Sequence, residues 1–347
     1  MKPLLTVAIP TYNGGDNLIK AVKSCRYINL PNDKFEILVV DNCSTDGSIE
    51  KLEYLAKEYT NLRIVKNEKN YGRIGNWNRC LDLANGKYLI FLFSNDELYE
   101  GYNFKKYIDL LERDEKISII FNKVKFRFKD NEFVSPDFSI ENKIIPLHLF
   151  VERVFYEKKC FTCFGILQQH IYRMDTIKNN SIYFDDNLDR TTDRIFIFKN
   201  ILNHKEQLIY FSDEVMSIWN FSHNRYHAKA HSKLDDDILT IFKRSWLQEL
   251  EANAYILSKF KIDMKNIIKV HYENFYMVYS LNKIKKLLKI KYENNPDNIT
   301  LESFIKLLEG FCKILEINYF KIKLQVHARI IKKILNKLIK KKRNHNV

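Results

Sequence analysis

A strongly apolar run of the chain ends abruptly in polar groups near residue 94. Residues 87–93 have the composition of a buried strand, and the chain continues as Ser94-Asn95-Asp96-Glu97. Strands buried on both faces present their following loops at the carboxyl edge of a sheet, where open α/β folds bind ligands. Carboxylate and carbonyl oxygens are the ligands that Mg²⁺ and Mn²⁺ prefer. The junction therefore predicts a site for a divalent metal that holds a diphosphate.

Two earlier predicted strands end in comparable loops. The first leads into Pro10-Thr11-Tyr12-Asn13-Gly14-Gly15, and the second into Asp41-Asn42-Cys43-Ser44-Thr45-Asp46-Gly47. Each loop opens onto a predicted helix, whose first N–H groups suit phosphates, so the two loops together predict a nucleotide crevice. The chain has neither a Gly-x-Gly-x-x-Gly turn nor a Gly-Lys-Ser/Thr loop. This argues against a dinucleotide dehydrogenase and a phosphate-loop kinase.

The elements that must position these loops alternate between strand and helix. Strands are predicted at 5–9, 35–40, 62–66 and 88–93, and helices at 16–26, 47–59 and 74–84. This alternation indicates βαβ units and a mainly parallel sheet. Beyond it we predict a helix after Tyr102, strands near 117–128 and a helix near 192–202. Residues 236–347 have almost entirely helical patterns, which indicates a separate C-terminal region.

The positive charge of the chain is concentrated at its end. The 347 residues carry a net charge of +14, and residues 321–347 contain ten Lys or Arg and no acid, which leaves +4 for the rest. This distribution argues against nucleic acid as a partner. Apolar residues recur at helical spacing in the tail, which predicts a basic amphipathic helix on an anionic membrane surface. The alternative is a final helix that packs on its neighbours and has a solvated basic end.

Targeting signals and cysteine usage predict the compartment. We find no secretory signal peptide and no apolar run long enough to span a bilayer, so we expect a cytoplasmic protein with reduced cysteines. If the tail binds lipid, the protein would be peripheral on the inner face of the cytoplasmic membrane. Cys160 and Cys163 have the spacing of half a zinc site, but His148 and His170 lack the usual spacing. We therefore interpret both as ordinary buried cysteines.

Five motifs, in the same order and spacing, resemble the family 2 glycosyltransferases of the GT-A fold. The motifs are Ile9-Pro10-Thr11-Tyr12-Asn13, Val39-Val40-Asp41-Asn42-Cys43-Ser44-Thr45-Asp46-Gly47, Asn70-Tyr71-Gly72 with Asn78, Ala84-Asn85-Gly86-Lys87-Tyr88, and Phe91-Leu92-Phe93-Ser94-Asn95-Asp96-Glu97-Leu98. The resemblance is close over residues 4–100 and weaker to about 230. It implies a Rossmann-like GT-A domain at 1–235, with a nucleotide-binding half at 1–100 and an acceptor half at 101–235.

The resemblance also implies which residues bind the donor. Tyr12 matches the position that stacks on the nucleotide base, with Pro10 and Thr11 beside it, and Asp41 matches the carboxylate that hydrogen-bonds the base. Three further residues are candidates for contacts with the nucleotide, its diphosphate or the sugar, namely Arg73, Asn78 and Asn95. Arg73 has an equally strong alternative, in which it caps a helix or pairs at the surface.

Asp96 matches the last acid of the family's DxD-like element, which holds Mg²⁺ or Mn²⁺ against the diphosphate. Phe93 and Asn95 occupy positions that often carry Asp, so we expect modest metal affinity. His223 lies in an aromatic-x-x-x-His loop and is a second candidate metal ligand, or a hydrogen-bond donor to a phosphate oxygen. The alternative is that it is a solvated loop residue.

Residues 184–194 resemble the family's stretch in which an Asp precedes a helix on the acceptor side of the cleft, and this resemblance implies Asp193 as the base that takes the proton of the acceptor hydroxyl. The alternative is that this carboxylate only caps the helix that follows it.

The residues and the resemblance together predict an inverting glycosyltransferase of the hexosyl or N-acetylhexosaminyl type. Its donor would be a UDP-sugar and its acceptor a hydroxyl of a glycan or lipid-linked glycan in bacterial surface polysaccharide synthesis. The alternative is a non-catalytic nucleotide- or glycan-binding protein that kept the fold after losing acidic ligands. The helical C-terminal region is a candidate surface for homo-oligomer formation.

Overall fold

The computed structural model describes residues 2–128, 131–135, 138, 140, 142–155, 166–188 and 191–221, and in addition 255, 256 and 259. The chain divides into two compact units, of which the first comprises Met1–Asp237 and Lys243–Ala252. The predictions for His223, for Cys160 and Cys163, for the basic tail and for nearly all of the helical region 236–347 lie outside the described residues. They stay predictions, as do the domain boundaries.

The first part of the chain alternates regularly between strand and helix, as predicted. Its elements are β1 (Leu5–Thr11), α1 (Gly15–Ser24), β2 (Phe35–Asp41), α2 (Ser48–Leu55), β3 (Leu62–Lys66), α3 (Gly72–Leu83) and β4 (Tyr88–Phe91). Every residue of β1, β2 and β4 is buried. Burial on both faces explains why these strands are continuous apolar runs rather than alternating patterns.

The second part of the chain is less regular. Its elements are β5 (Glu97–Leu98), α4 (Phe104–Arg113), β6 (Ile117–Phe128), β7 (Asn131–Val134), β8 (Ile144–Pro146), α5 (Leu147–Phe155), β9 (His170–Arg173), α6 (Met174–Asn179), α7 (Thr192–Leu202) and β10 (Leu208–Phe221). The strand predicted near 117–128 is β6, and the helix predicted near 192–202 is α7. The sequence patterns did not reveal β9 and β10.

One mainly parallel sheet holds these strands in the order β3-β2-β1-β4-β9-β6-β10-β5, with β7 beside β6 and β8 beside β10. Parallel pairs join β1 to β2 and β4, β2 to β3, and β6 to β10. Because β9 is antiparallel to both β4 and β6, the strands β4, β6 and β10 run in the same direction. The ends of β1, β2, β4 and β10 therefore reach the same edge of the sheet.

Amphipathic helices cover this sheet. The buried residues of α1 recur at helical spacing, as do those of α4, and both sets join the apolar core around β1, β2 and β4. Among the residues that the structure describes, we find no helix with the length and apolar character of a membrane span.

A buried carboxylate ties three segments together at the amino edge of the sheet. Glu36 accepts hydrogen bonds from the Thr6 hydroxyl at 2.6 Å, from the Asn85 backbone N–H at 2.7 Å and from Arg63 Nη2 at 3.0 Å. Burial alone would raise the pKa of Glu36, but these hydrogen bonds lower it below its usual value. The ionised carboxylate therefore stabilises the fold.

We predict that Glu36→Gln lowers the free energy of unfolding by about 2 kcal/mol at neutral pH, because the Arg63 interaction loses its charged acceptor. A group with a lowered folded pKa stabilises above its unfolded pKa and loses that contribution as the pH falls through the folded pKa. The difference between wild type and variant should therefore shrink below pH 4.5, the ordinary pKa of Glu. Urea unfolding at several pH values measures this. The exposed Glu58→Gln is the control, and equal effects of both substitutions would contradict the prediction.

Candidate active site

The loops after β1 and β2 are joined by direct hydrogen bonds. The Asn13 N–H donates to Ser44 Oγ, and the Thr45 N–H donates to Asn13 Oδ1, both at 2.8 Å. The Gly15 N–H donates to Asp46 Oδ2 at 2.8 Å. Slight burial opposes a lower pKa of Asp46, but hydrogen bonds from Ser48 and Gly15 lower it. The two loops thus form one continuous rim at the carboxyl edge of the sheet.

The strand ends place Tyr12 near Asp41. Thr11 and Asp41 are paired in the register of β1 and β2, and Tyr12 directly follows β1. Asp41 is buried, and the Ser44 N–H lies 3.2 Å from each of its oxygens, while the Ser44 hydroxyl donates to Oδ1. Tyr12 is 55% exposed. An exposed ring thus follows a strand whose neighbour ends in an oriented carboxylate.

Pro10 and Thr11 are buried within β1. The Thr11 carbonyl accepts from the Asn42 N–H at 2.9 Å, so this strand end is fixed to the loop after β2. Gly14 lies against the end of β4, because a Cβ added there would stand 3.4 Å from Ser94 Cβ. The β1 loop therefore touches both neighbouring loops, which closes the crevice on that side.

A cluster of asparagines under the crevice was missed by the sequence analysis. Asn67 Nδ2 donates to Asn76 Oδ1 at 2.8 Å and to Asn42 Oδ1 at 3.1 Å. Asn76 Nδ2 donates to the Val40 carbonyl at 3.0 Å, and Asn42 Nδ2 donates to the Gly72 carbonyl at 3.1 Å. Asn42, Asn67 and Asn76 are buried. Asn42 and Asn67 each follow directly after a strand, which is the sequence signal that identifies them.

An aromatic stack connects the start of α3 to the end of β4. The guanidinium carbon of Arg73 lies 4.5 Å from the centroid of the Trp77 ring, whose centroid is 5.1 Å from that of Phe93. Phe93 directly precedes Ser94. The first turn of α3 also borders the loop after β2, through the Gly72–Asn42 hydrogen bond. The helix that carries Arg73 therefore contacts the loop after β2 through Gly72 and Phe93 through Trp77.

Asp96 is completely buried, and both of its carboxylate oxygens accept hydrogen bonds. The Asn220 N–H donates to Oδ1 at 2.9 Å, and Gln168 Nε2 donates to Oδ2 at 3.1 Å. Glu97 accepts from Asn220 Nδ2 at 2.9 Å and from Arg127 Nη1 at 3.0 Å. Asp96 and Glu97 thus join the end of β10 to the segment between β4 and β5 and to the start of β5.

These contacts bear on the predicted Mg²⁺ or Mn²⁺ site. A hard divalent cation needs oxygen ligands that it can reach, and the buried oxygens of Asp96 already have partners. Within the described parts of the chain, no group of three His, Cys, Asp or Glu side chains is arranged to hold a metal. The partly buried Asn95 is neutral. The described residues therefore do not fit a carboxylate metal site, and the roles of Asp96 and Asn95 stay predictions.

Asn78 uses its amide to join α3 to the segment before α7. Its Nδ2 donates to the Phe184 carbonyl at 3.0 Å, and its Oδ1 accepts from the Phe184 N–H at 2.8 Å. This reciprocal pair gives the side chain a structural role. Its predicted contact with the donor stays a prediction.

Asp193 lies in the first turn of α7 and is partly exposed. The N-cap residue of this helix is Thr191, so Asp193 lies inside the first turn, where its Oδ1 accepts from the Arg194 N–H at 2.7 Å. Burial, followed by the charge of Asp193, raises the pKa of Tyr172 on β9 well above its usual value. Tyr172 lies on the strand that pairs with β4. The base role of Asp193 stays a prediction.

The order and direction of the strands are those of the GT-A fold, and structural comparison confirms this fold. S. aureus TarS 1–349 in complex with UDP-GlcNAc superposes with a TM-score of 0.57 at 22% identity, over 83% of this chain and 79% of that one. The mannosyltransferase PcManGT from Pyrobaculum calidifontis, in complex with GDP-Man and Mn²⁺, gives a TM-score of 0.50 at 14% identity, over 97% and 88% of the two chains.

Residues 6–177 match glycosyl transferase family 2. The chain belongs to this family, as its motifs predicted. Among its relatives is the poly(ribitol-phosphate) beta-glucosyltransferase of Bacillus spizizenii, which is 25% identical over 213 residues, 58% of this chain and 30% of the relative. This chain spans about a third of the length of the first curated relatives that it matches.

We predict that Asn76→Asp destabilises the fold by about 3 kcal/mol, because it replaces a buried amide donor with an acceptor facing the Val40 carbonyl. The crevice should lose its shape first, so the variant should also bind nucleotide weakly. Thermal unfolding and nucleotide titration measure the two effects. Asn180→Asp is the matched control, since this exposed side chain donates only to the Thr176 carbonyl in the described structure. A variant as stable as this control would contradict the proposed importance of the cluster.

Proposed function

We propose that the chain is an inverting glycosyltransferase with a UDP-sugar donor and a glycan or lipid-linked glycan acceptor. The transferred group would be hexosyl or N-acetylhexosaminyl, and the setting bacterial surface polysaccharide synthesis. The observation that carries the proposal is that the exposed Tyr12 directly follows β1, while the neighbouring strand β2 ends in the oriented Asp41 carboxylate, at the carboxyl edge of a GT-A sheet. The UDP-GlcNAc bound by TarS and the polymer named for the Bacillus relative support it.

Donor binding would use both sides of the crevice. The base would stack on Tyr12, which offers a flat and partly exposed ring, and would hydrogen-bond to Asp41. Ser44 holds the Asp41 carboxylate in one orientation, so the side chain would lose little conformational entropy when the nucleotide base binds. The diphosphate would then extend toward the loop that begins at Ser94.

Sugar transfer would be a single displacement. The acceptor oxygen would attack the anomeric carbon from the face opposite the diphosphate and form the new C–O bond. The bond from that carbon to the diphosphate oxygen would break, and the nucleoside diphosphate would leave with the electron pair. Asp193 would take the proton of the acceptor hydroxyl. This geometry inverts the configuration of the anomeric carbon.

Residues 321–347 would place this enzyme beside a lipid-linked acceptor. Their basic amphipathic pattern favours anionic lipid at the inner face of the cytoplasmic membrane. His223, in the segment after β10, would donate a hydrogen bond to a phosphate oxygen of the diphosphate. The competing hypothesis is a nucleotide- or glycan-binding protein without turnover, which would bind the same donors but release no nucleotide from them.

A panel of nucleotide sugars separates the two hypotheses, by thermal shift and by nucleotide release. We predict that one UDP-sugar stabilises the protein and is slowly hydrolysed to UDP. In that assay Asp193→Asn should lower the rate of release by about 100-fold or more, because the base is lost, while the thermal shift by the donor is retained.

Asp175→Asn is the matched control, because Asp175 also accepts the N–H of the next residue at the start of a helix. It should keep the wild-type rate. Unchanged release by Asp193→Asn would reject Asp193 as the base, and binding without any release by the wild type would favour the non-catalytic hypothesis.

A further inference from the structure

Among the described residues, the part of the crevice that would receive the diphosphate has little accessible negative charge. Asp96 is completely buried between Asn220 and Gln168, and Glu97 is paired with Arg127. The partly exposed side chains of this segment, Ser94 and Asn95, are neutral. A diphosphate that gains charge as its bond to the sugar breaks needs a positive partner. Carboxylates that recruit a metal are one source of such charge, and a guanidinium is another.

Arg73 has the position and the support for this task. Its guanidinium carbon lies 4.5 Å from the centroid of the Trp77 ring, a distance at which the ring attracts a cation. Trp77 is 8% exposed and is held between Phe93, with ring centroids 5.1 Å apart, and Phe184, at 5.3 Å. The platform under the guanidinium is therefore fixed by packing on two sides.

The aromatic residue at position 93 links the two observations. Phe93 directly precedes Ser94 and stands where the family often has an acid. In this chain the position supplies the ring that supports Trp77, and Trp77 supports Arg73. The presence of Phe instead of an acid at position 93 thus removes a candidate metal ligand and supports the ring on which the Arg73 cation lies. A planar guanidinium can bind two phosphate oxygens through two parallel N–H groups in a fixed geometry, whereas a lysine ammonium acts as a point charge.

We propose that Arg73, held on Trp77 and Phe93, binds the donor diphosphate in place of a metal ion held by Asp96. The inference rests on the proposed function, because it concerns the donor of that reaction. In it, Asp96 is a positioning residue that joins β10 to the segment between β4 and β5, and the leaving diphosphate is stabilised by the guanidinium. Donor binding is then independent of Mg²⁺ and Mn²⁺.

Calorimetric titration of the full chain with UDP and with uridine, each in excess EDTA and in Mn²⁺, tests this. Wild type should bind UDP with the same affinity in both buffers. Arg73→Gln should weaken UDP binding by at least about tenfold, the effect of losing one charge-assisted hydrogen bond. Arg73→Gln should leave uridine binding unchanged, because uridine has no phosphate. A melting curve of each variant confirms that the variant is folded.

Two further variants complete the test. Arg113→Gln removes the same charge from an exposed site at the end of α4, next to the amino end of β6, and should bind UDP like wild type. Asn95→Asp adds a carboxylate of nearly the same shape to the partly exposed segment. It should make UDP binding respond to Mn²⁺, which wild-type binding does not.

The outcomes separate the inference from the function on which it rests. UDP binding that is lost in EDTA, or an Arg73→Gln variant that binds UDP as tightly as Arg113→Gln does, would overturn the inference and leave the glycosyltransferase proposal standing. Failure of every nucleotide to bind, with and without Mn²⁺, would overturn both.

Discussion

The hydrogen bonds of Asn76 and Asn67 are the constraint on which the crevice depends. The strands β1 and β2 end at one edge of the sheet, and the Thr11 and Val40 carbonyl groups there accept hydrogen bonds from the buried amide of Asn76. A buried carbonyl without a partner is costly, so side-chain amides take the place of water there. Because these amides also reach the loop after β2 and the first turn of α3, they determine where Asp41 and Arg73 stand relative to each other.

The nucleotide-binding half could be predicted from the sequence because its signals are local. Each strand from β1 to β4 is a short apolar run between polar turns, and each helix repeats its apolar residues within three or four positions. The strands β9 and β10 lack such signals. β9 has only four residues, and its burial results from strands on both sides, β4 and β6. β10 pairs with β6 through shifts of register between Phe211 and Ser217, which disrupt any regular alternation.

The candidate site shows the same limit. Position at a strand end was enough to select Asp41 and the segment around Asp96. It could not show that the Asp96 side chain turns inward, because its partners Gln168 and Asn220 are 72 and 124 residues away in the sequence. The role of an acid that follows a strand thus depends on which residues, distant in the sequence, pack against it and donate hydrogen bonds to it. Arg73 was selected from the family resemblance alone, and its contact with Trp77, one helical turn further along α3, became visible only in the structure.

The helix α3 has a mechanical consequence. It carries Arg73 in its first turn, and Asn78 further along fastens it to the Phe184 backbone, on the segment that leads to α7 and Asp193. A helix is stiff over a few turns. The helix α3 therefore keeps a fixed distance between Arg73, which would bind the leaving diphosphate, and the segment before α7, which would bind the acceptor hydroxyl. Substitutions during evolution can therefore change the shape of the sugar or acceptor pocket around α3, while the distance between the diphosphate-binding and acceptor-binding residues stays constant.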